Sequence, residues 1–203
     1  SPKERKVTME IDSLQSRDAR SVVHGLTNLS LHATRGATVI ESGQGVWVRD
    51  SQGRDYLEAM SGLWCIALGY GNKRLADTAH RQMQQLAYYP LTNHKSHPPV
   101  IALAEKLLSI APCPMARVWF ASTGSEANDC AARLSWYYWN AVGRPNKTKF
   151  ISHKLAYHGN TIASASLSGV SYAHNRFNLP LPGFFHVTTP HFTKNAHDEE
   201  TEE

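Results

Sequence analysis

From Pro114 onward the chain alternates short apolar runs, turn residues and helical stretches, and this alternation restricts the fold more than any other feature. Arg117-Val118-Trp119-Phe120-Ala121 reads as a buried strand, followed by Ser122-Thr123-Gly124-Ser125 and a helix to about Trp139. Lys149-Phe150-Ile151-Ser152 predicts a second strand, with Tyr157-His158-Gly159 and a helix of small residues after it. Phe185-His186-Val187 opens a third. Strands alternating with helices imply an α/β architecture, a mostly parallel sheet wrapped by helices. Ligands of such sheets sit at the carboxyl ends of strands, where Thr123 to Ser125 and Tyr157 fall.

Upstream the pattern differs. Gly45 to Met60 reads as a hairpin, with Val46-Trp47-Val48 and Tyr56-Leu57 as strands and Asp50-Ser51-Gln52-Gly53 as the turn. Met60 to Cys65 and Gly69-Tyr70-Gly71 read as loop. A helix follows, capped by Asn72, with Leu75, Ala79, Met83 and Leu86 on one face. Another opens at Ser96 or His97, has Pro98 and Pro99 in its first turn and ends before Pro112. Its stripe is Ile101, Ala104, Leu107 and Leu108, and both stripes are expected to pack in a core.

Bulk composition narrows the function classes. No apolar run approaches the roughly 20 residues that cross a bilayer. The polar start, Ser1 to Asp12, lacks the apolar centre of a signal peptide. The formal charge of +4 comes from scattered basic residues, and the 198–203 stretch is acidic, so a phosphate-backbone footprint is not expected. Cys65, Cys113 and Cys130 are widely spaced and form no CxxC pair, which fits a reducing, cytoplasmic compartment. The eleven histidines show no HExxH spacing, and His153 and His158 are separated by a turn, so no metal is expected.

Three segments carry candidate chemistry. Gly124 at a strand exit lets the backbone approach a ligand, and the helix behind it aims unpaired N–H groups and its positive dipole end at that spot. With the Thr123 and Ser125 hydroxyls this suits a phosphate dianion, although a plain capped helix start accounts for the same residues. Glu126 would repel a phosphate and should point away from it. Tyr157, before His158 and Gly159, can offer its ring to a planar heteroaromatic ligand or serve as an ordinary core tyrosine. Trp64, Tyr88 and Tyr89 can form an apolar sleeve for a substrate or simply be buried.

Ser122-Thr123-Gly124-Ser125-Glu126-Ala127 followed by Tyr157-His158-Gly159 resembles the paired signature of class-III pyridoxal-phosphate (PLP) aminotransferases. Gly62-Leu63-Trp64-Cys65, Gly69-Tyr70-Gly71, the Gln82-Met83 helix and Pro180-Leu181-Pro182-Gly183 resemble the branch that moves amino groups between ω-amines or ω-amino acids and pyruvate. The resemblance runs from about His24 to about Pro190. It implies a fold-type-I PLP transferase, with residues 1–60 contributing a hairpin to the smaller domain and 61–203 forming the first part of the large one. Thr123, Gly124 and Ser125 would hold the cofactor phosphate, Tyr157 would stack on the pyridine ring, and Trp64 would line the substrate pocket together with Tyr157. A homodimer with its site at the interface is implied too, where residues from Tyr88 to Asn93 would complete the neighbouring site.

The family also needs a lysine for the Schiff base and an acid for the pyridine nitrogen. Lys154 precedes Tyr157 and matches no family lysine, and the 198–203 acids read as a solvated helix start. No residue here is assigned as catalytic, and the chain alone is expected to be inactive. A non-catalytic scaffold and another fold-type-I reaction, such as an aminomutase or decarboxylase, stay open as alternatives.

Overall fold

A computed structural model describes residues 12–190; the 198–203 acidic run and most of the polar start lie outside the described residues. The chain divides into two compact units, Ser1–Ser96 and His97–Glu203.

The first unit opens with α1 (Leu14–Ser21), capped by the Ser13 hydroxyl, and α2 (Leu29–Arg35), capped by the Asn28 side-chain oxygen Oδ1. Three antiparallel strands follow in sequence order, β1 (Ile40–Gln44), β2 (Trp47–Asp50) and β3 (Asp55–Leu57). The expected hairpin is β2–β3. Its turn closes on Asp50, which is only 3% exposed. One Asp50 carboxylate oxygen accepts the Gln52 and Arg54 amides at 2.9 Å each; the other accepts Arg54 Nε at 2.7 Å and the Tyr56 hydroxyl at 2.8 Å. Arg49 and Asp55, directly opposite in the register, add a two-pronged ion pair at 2.7 and 2.8 Å. β1 was not anticipated.

Beyond β3 the chain enters α3 (Ser61–Trp64), a single turn whose backbone is left-handed: φ is 51° at Ser61, 58° at Gly62, 58° at Leu63 and 70° at Trp64. Residues with a Cβ avoid that region because Cβ crowds the following carbonyl. Glu58 offsets the strain by accepting the amides of Met60 (2.9 Å) and Gly62 (2.7 Å). The Tyr70 ring packs where a side chain on Gly43 would be, so glycine is required at 43. Then α4 (Lys73–Leu86) starts at its predicted cap, with Asn72 accepting the Leu75 amide at 3.2 Å.

The second unit comprises α5 (Pro98–Ile110), α6 (Gly124–Ala141), β4 (Phe150–His153), α7 (Ile162–Leu167), α8 (Ser171–His174) and β5 (Phe184–Val187). β4 and β5 pair in parallel, as the alternation predicts. Phe150 and Phe184 stack across them at 5.2 Å, and Trp136 of α6 meets the Phe150 ring edge-on at 5.4 Å. α7 packs against both strands and against α6. Its buried face is Ser164, Ala165 and Ser166, with Ser168 just beyond. Small size sets that packing, and every buried hydroxyl is hydrogen-bonded, as burial without a partner would be costly.

Two expectations are corrected. Arg117 to Ala121 is not a strand: extended residues become one only by pairing, and among the described residues none pairs with them. The stripes of α4 and α5 form but are not a core: Leu75 and Met83 are 55% and 66% exposed, and Ile101 and Leu107 are exposed too. Among the described residues, no helix or strand of the same unit packs against either.

Candidate functional site

Thr123 is extended (φ −144°, ψ 161°) and its hydroxyl accepts the Glu126 amide at 3.1 Å, so Thr123 caps α6. Helical residues therefore begin at Gly124, and the amides of Gly124 and Ser125 find no protein acceptor among the described residues. These are the donors that a helix N-terminus offers an anion. Gly124 is exposed, and a Cβ built on it would meet no heavy atom within 4 Å, so the start of the helix is uncrowded. Glu126 turns its carboxylate back onto the Ser122 amide at 2.8 Å, which satisfies a further backbone donor and fixes its charge there.

Ser125 joins this turn to the loop after β4. Its hydroxyl oxygen accepts the Asn160 amide at 3.0 Å, and its carbonyl accepts the Thr161 hydroxyl at 3.3 Å. Gly159, at φ +134°, lies so close that an added Cβ would be 2.5 Å from the hydroxyl oxygens of both Ser125 and Ser164. That pinch explains the glycine after Tyr157-His158. The loop is held elsewhere as well: His158 donates its amide to the Ser168 hydroxyl at 2.8 Å and accepts Asn128 Nδ2 at 2.6 Å. Asp129 of α6 accepts the Ser164 amide at 2.8 Å, securing α7 to α6. The backbone on either side of Tyr157 is thus fixed while its ring stays 51% exposed at the carboxyl end of β4.

Thr123, Gly124, Ser125 and the Tyr157 loop are accordingly brought together within the second unit. Trp64 belongs to the first unit, where it is 85% exposed on the left-handed turn; Tyr88 and Tyr89 are exposed there too, so simple burial does not describe them. The sequence reading missed Asn128, Asp129, Asn160 and Ser168, which shape the loop. Polar residues inside α6 (Asn128 and Asp129) and on either side of α7 (Asn160 and Ser168) gave no distinctive signal. It also missed Glu58, whose acidic side chain two residues before Met60 is an ordinary loop composition.

The profile described as Aminotransferase class-III matches residues 31–203. The chain belongs to the class-III aminotransferase family. It is 39% identical over 169 residues to a putrescine–pyruvate aminotransferase of Pseudomonas aeruginosa, covering 83% of this chain and 37% of that protein. An ω transaminase from Pseudomonas jessenii, solved in complex with PMP, superposes with a TM-score of 0.90 at 49% identity, covering 93% of this chain and 42% of that one. A thermostable ω transaminase engineered for asymmetric synthesis of enantiopure bulky amines, by a tryptophan-to-glycine replacement, matches with the same TM-score, identity and coverage. The fold is thus that of the fold-type-I PLP transaminases, and the chain spans less than half the length of these relatives.

The cofactor of that family is PLP, and the residues present fit its phosphate. At the uncrowded helix start, the two amides without protein acceptors and the hydroxyls of Thr123 and Ser125 make a set of donors for a dianion. Each hydroxyl accepts one bond from the protein and keeps its own O–H to donate. Among the described residues no helix is long and apolar enough to cross a membrane.

Proposed function

We propose that the protein containing this chain is a PLP-dependent aminotransferase that moves an amino group from an amine or ω-amino acid to an α-keto acid such as pyruvate. The observation that carries the proposal is the shared use of Ser125 by the first turn of α6 and by the loop presenting Tyr157. A helix start with unpaired amides, fastened to the loop that carries Tyr157, would suit a ligand that has both a phosphate and a planar ring. The names of the relatives support the reaction class.

In this reading the amides of Gly124 and Ser125 and the hydroxyls of Thr123 and Ser125 bind the phosphate, and Tyr157 lies against the pyridine face. When bound, PLP supplies the electron sink for amine chemistry. This chain's residues contribute position: the pinned backbone around Gly159 keeps the Tyr157 ring from drifting, and the α6 dipole neutralises part of the phosphate charge. Trp64 bounds the substrate pocket, and its exposed ring supplies apolar area for an amine substituent. Residues 1–60 are ascribed to the smaller domain and 61–203 to the large one. A cytoplasmic homodimer with residues from Tyr88 to Asn93 at the neighbouring site completes the proposal, and the three free cysteines agree with a reducing compartment.

The test is direct. The protein, loaded with PLP and given putrescine or another primary amine with pyruvate, should form alanine, and a structure with PLP should place the phosphate on Gly124 and Ser125. Failure to form alanine with any amine, or a phosphate bound remote from these two residues, overturns the reading.

A further inference from the structure

Asp18, His24 and His32 are absent from every motif described above, yet the fold brings them together. Asp18 lies in α1, His32 in α2 and His24 on the connection between them. Asp18 Oδ2 is 2.9 Å from His24 Nε2 and 2.8 Å from His32 Nε2. The three ligand atoms all lie within 4.8 Å of one another, and the two rings are 4.2 Å apart, tilted by 43°. The side chains are 20%, 32% and 10% exposed, so the cluster is half sunk in the surface and remains reachable.

We propose that Asp18, His24 and His32 form a binding site for a divalent transition metal of the zinc class. The histidine spacing lacks any familiar motif, which is why no metal was expected; the convergence arises only when α1 and α2 pack together. Two imidazoles and one carboxylate are a donor set that zinc favours over magnesium or calcium, which prefer oxygen alone. Both Nε2 atoms lie within hydrogen-bond distance of the same carboxylate oxygen, so the three donor atoms are already gathered, and a metal would take the place of the protons between them. Bonds of about 2.0–2.2 Å in a tetrahedral arrangement separate ligand atoms by roughly 3.3–3.5 Å, so the two short contacts need to open by only about half an ångström. Three protein donors leave a fourth position for water. Two of the ligands stand on helices with their own side-chain caps, Ser13 on α1 and Asn28 on α2, so the site is built on supported backbone. The metal joins α1 to α2 and stabilises the folded state by binding it in preference to the unfolded chain.

The experiment uses the full chain, free of any affinity tag and stripped with a chelator. Zinc is titrated against a chromophoric chelator, and cobalt is added as a spectroscopic probe. One equivalent of zinc should bind and raise the thermal midpoint, and cobalt should give the visible bands of a tetrahedral site. His32→Ala and Asp18→Asn should each weaken zinc binding by roughly tenfold or more, the scale on which disturbed metal sites respond. His24→Gln serves if either variant fails to fold by circular dichroism. His80→Ala, on an exposed position of α4, should change nothing. Absence of a stoichiometric zinc equivalent, cobalt bands of octahedral type only, or binding unchanged in all three site variants overturns the proposal.

Discussion

Asn160 donates its backbone N–H to the Ser125 hydroxyl oxygen at 3.0 Å, across 35 residues of sequence, and so fastens the loop after β4 to the first turn of α6. The Thr161 hydroxyl, donating to the Ser125 carbonyl at 3.3 Å, adds a second tie between the candidate phosphate donors and that loop. The Asn160 bond forms only because Gly159 lets the chain pass within contact distance of Ser125.

Gly159→Ala should therefore be severe. A Cβ at φ +134° is strained, and it would also sit 2.9 Å from the Ser125 backbone, which has no flexible end to yield. Strain and overpacking together should destabilise the second unit by roughly 2–4 kcal/mol. Urea unfolding followed by tryptophan fluorescence checks this; a change below about 1 kcal/mol would show that the loop relaxes freely.

Thr123→Ala should lower stability by about 1 kcal/mol, since it removes the oxygen that accepts the Glu126 amide. Thr123→Ser should recover most of that loss because the acceptor is restored. Equal stability of the alanine and serine variants in urea would mean that the cap contributes nothing.

Acid should weaken the first unit through Asp50. Burial by itself would raise the Asp50 carboxyl, but the hydrogen bonds from Arg54, Tyr56 and Gln52 outweigh it and hold the group well below the usual carboxylate range. A depressed value means that the stabilisation is complete above the unfolded value of about 3.9 and is lost as pH falls toward the folded one. Asp50→Asn should be less stable at neutral pH and should lose part of the acid sensitivity below about pH 4. Thermal midpoints measured against pH for both proteins decide the matter, and parallel curves would refute it.

In the proposed enzyme, Tyr157→Ala should weaken PLP retention by about 1–1.5 kcal/mol, the scale of an aromatic stacking contact. Tyr157→Phe should retain the cofactor, because the ring face and not the hydroxyl makes the contact. Dialysis against buffer with absorbance of retained cofactor provides the readout. Equal loss in both variants would assign the role to the hydroxyl instead.

Sequence legibility followed the range of the interactions. The Asn72 cap of α4, the Pro98-Pro99 start of α5 and the Gly53 turn of the hairpin depend on neighbours a few residues away, and all were readable. β4, α7 and β5 were readable for the same reason, since apolar runs and turn residues alternate locally, whereas the short α8 between α7 and β5 was not. β1 was not, because Glu41, Ser42 and Gly43 have poor strand character and are held extended by pairing with β2. Arg117 to Ala121 erred in the opposite direction, having strand-like residues without a pairing partner. At the site, the turn residues Thr123 to Ser125 announced themselves, whereas Asp129 and Ser168 act across 35 and 10 residues and did not. The Asp18, His24 and His32 cluster depends on two helices meeting, which no local spacing encodes.

The left-handed turn at Ser61–Trp64 separates support from occupancy. Its supports are the Glu58 carboxylate, the Met60 and Gly62 amides and the Trp64-to-Met60 backbone bond, none of which uses the indole. Trp64 itself combines a positive φ with almost complete exposure, so trimming its side chain removes little packing, and glycine would even relieve backbone strain. Position 64 is thus an adjustable one: its side chain can be exchanged over a wide range of sizes while the turn beneath it stays folded. A single replacement there changes the apolar area that the turn presents without removing any of the bonds that hold the turn.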